Sequence, residues 1–257
     1  MGYRILVAGA AGAIGRRLTP LLREAGHHVA GTTRSAAKAE RLRALGVEPV
    51  VVDVFDAETL SRLVASARPD VVIHQLTDLP QGLDPARMAA ALAGNARVRE
   101  EGTRNLVGAA LAAGARRLVA QSIAWAYAPG PEPHAEEDPL DLDAPGSRAV
   151  TVRGVAALEE LTLNSPPLAG IVLRYGRIYG PGTGADSQRD APTVHVDAAA
   201  YAALLAIDKG RAGTFNIAEP NAHVAAEKAR SELGWNDAFR LPAGLPETKI
   251  GGAAVAR

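Results

Sequence analysis

The 257-residue chain has no cysteine. Disulfides, thiolate metal centres and cysteine nucleophiles are thereby excluded, and no metal is expected. It has no charge excess either: 28 Lys+Arg face 28 Asp+Glu. Without a basic surplus there is no electrostatic footprint for nucleic acid. No apolar run is long enough to span a bilayer, and the first strand pattern begins almost at Met1, leaving no room for a secretory leader. A cytoplasmic protein with no membrane partner is expected. What the chain does have is 47% hydrophobic residues, enough for a substantial core.

Those residues fall into short runs separated by longer helical patterns. The runs are 3–9, 27–33, 49–53, 70–76, 116–122 and 169–176. Their Val, Ile and Leu are continuous rather than alternating, which predicts parallel strands covered on both faces. Helical periodicity occupies 13–25, 57–67 and 85–113, and 149–161 predicts a further helix with Val150, Val155 and Leu158 on one stripe. Strand and helix alternating in this way predict an α/β fold with a doubly wound parallel sheet.

The first turn carries the most specific spacing. Strand ILVAG runs into AAGAIGRRL, giving Gly9-x-x-Gly12-x-x-Gly15. The first glycine permits a tight turn, the second lets backbone approach a pyrophosphate, and the third allows close helix–strand packing. Ala13 and Ile14 begin the helix, whose free N–H groups and positive dipole end suit phosphate. The second strand ends in Thr32, Thr33, Arg34 and Ser35, with no acidic residue to take a ribose 2′-hydroxyl. Arg34, with Thr33, Ser35 and Arg16, is suited to a 2′-phosphate, so NADP(H) is the expected cofactor. Asp53, followed by Val54, is placed for the adenine amino group or for capping the next helix.

Further stretches, VVIHQLT (71–77), EGTRNLVGAALAAGARRLVAQS (101–122), WAYA (125–128), LRYGRIYGPGT (173–183), VHVDAAAYAALLAI (194–207) and GTFNIAE (213–219), follow in order. Together with the glycine turn they resemble the extended short-chain dehydrogenase/reductases, the NAD(P)-dependent epimerase/dehydratase group. The resemblance covers nearly the whole chain. It implies one Rossmann unit over 1–257, with 1–165 mainly the dinucleotide-binding core and 177–257 contributing a small substrate lobe. It also implies cofactor contacts from Leu76 and Thr77 and from the 174–181 loop, including Tyr175 and Arg177. Helices 85–113 and 150–164 form the usual dimer face in this family, so a homodimer is expected by analogy.

The departures from the family pattern are as informative. Its Ser or Thr falls on Ile123, with Ser122 one place earlier. Its Tyr-x-x-x-Lys falls on Thr151 and Val155, and its Asn falls on Arg99. The stretch 149–161 holds no tyrosine, lysine or histidine. Ser122 and Tyr127 are therefore substitute proton donors to consider, with Tyr175, Thr77 and His195 behind them.

Hydride reduction of a simple ketone creates an alkoxide, about as basic as hydroxide, whose parent water titrates at about 15.7. A phenolate's parent acid titrates at about 10, some 6 units lower, or about 8 kcal/mol. A carbonyl conjugated to a phenol or quinone thus largely removes the need for a protein acid. A pocket bearing Ile123, Val155, Trp125 and Leu79 suits a flat aromatic, polyketide-like substrate, and some atypical polyketide ketoreductases fit this pattern by resemblance. Only 183–193 separates the GPG turn from VHVD, little chain to enclose a sugar nucleotide; Arg189 there is a candidate anion contact. The acidic, proline-rich 131–147 reads as a mobile loop over the pocket, with His134 exposed. Expected above all is an NADPH-dependent ketoreductase of antibiotic-type metabolites. A nucleotide-sugar epimerase/dehydratase with a displaced acid–base and a non-catalytic NADP-binding module are the alternatives.

Overall fold

The computed structural model describes residues 2–80, 84–188 and 190–241; Arg189 and its expected anion contact lie outside the described residues. The chain runs β1 (Arg4–Ala8), α1 (Ala13–Glu24), β2 (His28–Thr33), α2 (Ala36–Ala44), β3 (Glu48–Val51), α3 (Ala57–Ala67) and β4 (Val71–His74). It continues through α4 (Pro85–Arg97), a π-helical turn at Val98–Gly102 and α5 (Thr103–Ala112), so the expected helix over 85–113 is one rod with a π turn inside it. β5 (Arg117–Ile123), α6 (Gly146–Leu163), β6 (Ala169–Tyr175), β7 (Arg177–Tyr179), β8 (Thr193–His195), α7 (Val196–Leu205) and β9 (Gly213–Ile217) follow.

Seven strands form one sheet in the order β3-β2-β1-β4-β5-β6-β9, with every pair parallel. The fold is the expected α/β Rossmann type. The chain winds outward from β1 to β3, then crosses back to β4. The C-terminal ends of β1 and β4 therefore flank the switch-point crevice where ligands of such sheets bind.

Residues of β1 divide between the two faces. Ile5 and Val7 join Leu18 and Leu22 of α1 and the alanines of α7. Leu6 and Ala8 join Leu60 and Val64 of α3 and Leu106 and Ala110 of α5. Each such leucine, buried completely, contributes roughly 1.5–3 kcal/mol. In α7, Ala198, Ala199, Ala200, Ala202 and Ala203 are all fully buried, so small side chains seat this helix closely beside α1. The buried Arg17–Asp197 pair at 2.6 Å ties the two helices at their ends.

Two local readings differ from expectation. In α6 the buried stripe is Val152, Val155, Leu158, Glu159 and Thr162, whereas Val150 is exposed. The helix begins three residues earlier than the sequence pattern suggested, and packing on β5 and β6 selects the stripe. The segment 131–147 is fastened rather than loose. Tyr127 bridges Leu140, His134 exchanges backbone hydrogen bonds with His223 and Ala225, and Arg148 grips Asp141 and the carbonyls of Trp125 and Tyr127. His134 is buried and stacks on Tyr127 with ring centroids 4.9 Å apart, not exposed.

Candidate active site

The three glycines at the switch point divide the labour that their spacing implied. Gly9 has φ 90°, and a side chain there would strike the Gln75 carbonyl at 2.6 Å. Gly15 lies against the turn, where a Cβ would sit 2.4 Å from the Gly9 carbonyl. At Gly12 a Cβ would meet only that same carbonyl, at 3.2 Å, so its missing side chain opens space outward. Gly12 is also the cap of α1 and offers no side chain to the first N–H groups. The backbone at Ala13 and Ile14 therefore keeps donors for an anion. A dinucleotide's pyrophosphate fits this cradle.

The end of β2 is more fully engaged than its composition suggested. Ser35 caps α2, its Oγ accepting from Lys38 N, and Thr33 Oγ1 accepts from Ser35 N. Both hydroxyl oxygens serve the turn as acceptors, and their own O–H protons find no acceptor among the described residues. Arg34 is exposed and lies 3.4 Å from Asp78 Oδ1. Asp78 follows β4; its N–H donates to Asn95 Oδ1, and Gly94 makes room for its carboxylate. Sequence reading missed Asp78 because 44 residues separate it from Arg34.

Arg16 donates to the carbonyls of Gly12 and Gly182, fastening the first turn to the 180–184 turn. Burial lowers its pKa, with Arg17 and Arg41 acting in the same direction. Asp53 is exposed and accepts from Phe55 N, whereas Asp56 caps α3. Of the two readings of Asp53, the helix cap is thus ruled out. Val54 is buried, and its carbonyl accepts from Asn105.

At the end of β4, His74 is fully buried. Its Nδ1 accepts from Leu76 N, and its other ring nitrogen meets Thr103 Oγ1 at 3.0 Å. Burial drives its pKa down to about 4, aided by the Arg99 charge. Neutral His74 thus shapes the loop presenting Leu76 and Thr77; the Leu76 carbonyl also accepts from Gln121, and Thr77 is exposed. Tyr175 lies in the core, 1% exposed, with its hydroxyl 3.5 Å from Gln75 Nε2. Burial raises its pKa strongly. Tyr175 therefore supports the crevice from beneath and is neither an acid nor a surface contact, correcting its place among the cofactor and proton-donor candidates. Arg177 is exposed and its guanidinium covers the Trp125 ring at 4.9 Å.

Two of the three acid–base positions are apolar. Val155, Val152 and Ala126 form one small buried cluster, with the partly buried Ile123 and Leu140 packed against it; Val155 itself is only 1% exposed. Thr151 contributes its carbonyl, 3.4 Å from Arg99 Nη1. The substitutes are engaged elsewhere. Ser122 Oγ is buried and donates to Glu159 Oε1 at 2.6 Å, and Arg174 donates to both oxygens of the same carboxylate. Tyr127 donates to Asn216 Oδ1 at 2.7 Å, and burial raises its pKa. His195 caps α7, its Nδ1 accepting from Asp197 N, and its pKa is lowered mainly by burial. Ser122 and Tyr127 are thus parts of structural networks, not proton donors facing the cleft.

A parallel sheet with a glycine-lined switch point defines a Rossmann-type fold with a cradle suited to a dinucleotide. The model of the NAD dependent epimerase/dehydratase family matches residues 5–204, and the chain belongs to that family. A 3-diazoavenalumate denitrifying reductase from a Streptomyces species is 42% identical, over 96% of this chain and 87% of the relative. Among solved structures, UDP-glucose 4-epimerase from Thermotoga maritima superposes with a TM-score of 0.74 at 20% identity, covering 92% of this chain and 94% of that one. A Bordetella bronchiseptica enzyme crystallised with NAD and UDP gives 0.71 at 23% identity, covering 94% and 91%. These superpositions establish the fold. The family and the reductase relative together make this a nicotinamide-dinucleotide-dependent enzyme of oxidoreductase type. Among the described residues, no helix is long and apolar enough to cross a membrane.

Proposed function

We propose that this protein is an NADPH-dependent reductase of flat aromatic metabolites whose acceptor group needs no protein acid. The observation carrying this reading is hydrocarbon at two of the family's three acid–base positions, Ile123 and Val155, which belong to one apolar cluster. In this reading Gly9, Gly12, Ala13, Ile14 and Gly15 hold the pyrophosphate, Arg34 the 2′-phosphate, and Asp53 and Val54 the adenine. Leu76, Thr77 and Arg177 border the nicotinamide end. When bound, the cofactor supplies hydride.

The protein's part is to bind the substrate, exclude water and tolerate the charge left behind. An alkoxide on hydrocarbon has no donor, and the relief of about 8 kcal/mol available to a phenolate must come from the substrate itself. Two acceptors satisfy this. An aryl diazonium is cationic beforehand: hydride on its terminal nitrogen gives a neutral Ar–N=N–H, which loses dinitrogen as hydrogen passes to the ring carbon. A carbonyl conjugated to a phenol or quinone ends as a phenolate, as an atypical ketoreductase of polyketide-like substrates would require. The name of the Streptomyces relative supports the diazo acceptor, and the activated carbonyl is the second reading. The proposal includes a homodimer through α4 and α6, where Met88 and Val150 are exposed.

The test is NADPH consumption with a hydroxyaryl diazonium, a hydroxyquinone, a phenol-bearing polycyclic ketone, its methyl ether and cyclohexanone. Turnover of the first three, with loss on methylation and none with cyclohexanone, is expected, the loss falling on kcat. Equal rates for the phenol and its methyl ether would refute the substrate-assisted reading.

A further inference from the structure

Three arginines on the strands, or on the helices that flank them, carry buried or partly buried guanidinium groups. Arg17 is paired with Asp197 at 2.6 Å and Arg174 with Glu159 at 2.7 Å. Arg99 is different. Among the described residues it has no carboxylate in ion-pair contact and makes one hydrogen bond, the 3.4 Å contact to the Thr151 carbonyl. A guanidinium has five N–H donors in a fork matched to carboxylates, and single donors of it can meet a phenolate oxygen. Holding such a charge partly away from water with no carboxylate in contact costs free energy, which an anionic partner offsets. Burial accordingly lowers the pKa of Arg99 to about 10, with Glu159 opposing, so it stays charged at neutral pH.

Its placement is specific. Arg99 leaves the π turn at Val98–Gly102, and π turns inside helices recur at functional sites. Its stem crosses Gly154 of α6, where an added Cβ would lie 3.5 Å from both the Cβ and the Cδ of Arg99. The guanidinium reaches the Thr151 carbonyl, one helical turn before Val155 in α6. His74, close enough to feel the Arg99 charge, is itself neutral and adds no counter-ion.

We propose that Arg99 receives the anionic group of the substrate, an aromatic carboxylate or phenolate whose ring lies against the partly buried Ile123. This inference rests on the aromatic-substrate reading above. It adds that the pocket selects anions, with the cation supplied from the α4–α5 rod rather than from α6. A substrate charged in this way is fixed at one end by a fork and along its length by hydrocarbon, which orients the acceptor without any acid.

The experiment measures binding of 4-hydroxycinnamate, its methyl ester and 4-methoxycinnamate by calorimetry to the NADPH-loaded protein, in wild type, Arg99→Met and Arg99→Lys. Wild type should prefer at least one anionic probe over its neutralised counterpart by about ten- to hundredfold, the range of a charged hydrogen bond. Loss on esterification identifies the carboxylate as the bound group, and loss on methylation identifies the phenol. Arg99→Met should abolish that preference while binding the neutral probe and NADPH as wild type does, and Arg99→Lys should restore part of it. In turnover the loss should fall on KM more than on kcat. Equal preference in wild type and Arg99→Met would overturn the proposal. So would a lowered melting temperature with weakened NADPH binding in both variants, which would make Arg99 structural. If no aromatic is reduced and yet the Arg99-dependent preference persists, the reductase reading fails and the anion site stands.

Discussion

Arg34 Nη2 and Asp78 Oδ1 stand 3.4 Å apart across the mouth of the cofactor cleft, both exposed. The cation expected to take a 2′-phosphate thus has a carboxylate rival. Arg34→Ala should weaken NADPH by about 1.5–3 kcal/mol and barely change NADH. Asp78→Asn should strengthen NADPH relative to NADH, because it removes both a competitor and a like charge facing the phosphate. Fluorescence titration of the two cofactors checks both. Parallel losses for NADPH and NADH in Arg34→Ala would end the assignment.

Gly12 and Gly15 should separate binding from folding. A methyl at Gly12 meets only the Gly9 carbonyl at 3.2 Å, whereas at Gly15 it falls 2.4 Å from that carbonyl and 2.6 Å from that of Ala10. Gly12→Ala should fold with a melting temperature near wild type and lose cofactor affinity. Gly15→Ala should lower the melting temperature itself. Thermal denaturation with and without NADPH distinguishes them.

Ser122→Ala tests whether the buried hydroxyl is structural. It removes one hydrogen bond to the Glu159 carboxylate, while the two from Arg174 remain. Stability should fall by about 1.5–3 kcal/mol with the turnover number little changed. Thr151→Ala, which keeps the carbonyl facing Arg99, should likewise retain most activity. A loss of orders of magnitude in either variant would identify a proton donor and overturn the substrate-assisted reading.

His74 gives the protein an acid limb. Its native pKa is depressed from 6.5 to about 4, so the unfolded chain takes up a proton that the folded chain refuses. The stabilisation is complete above pH 6.5 and declines as pH falls towards 4, by a total of about 3 kcal/mol. Urea denaturation at successive pH values should show this decline. His74→Gln should flatten the curve in that window, while starting less stable through loss of the Thr103 and Leu76 contacts.

The sequence by itself determined the layered fold, because apolar runs and helical periods are local and their alternation leaves a parallel sheet as the natural packing. It also determined the glycine turn, and it determined that 149–161 lacks a tyrosine, lysine or histidine. What each polar side chain does was decided only by tertiary structure. Ser122 and Glu159 are 37 residues apart, yet 2.6 Å apart in space. Nothing local to Ser122 shows that its proton is already held by a carboxylate. Arg34 meets Asp78, Asp56 rather than Asp53 caps α3, and Val152 rather than Val150 faces the sheet, each for a reason set by a neighbouring element. Arg99 illustrates the same division: the sequence shows an arginine at the family's asparagine, and only the packing of the π turn against Gly154 shows a partly buried charge with no carboxylate in contact among the described residues. Periodicity is carried by neighbours in the chain, whereas charge pairing and the placing of protons depend on distances that only the folded chain defines.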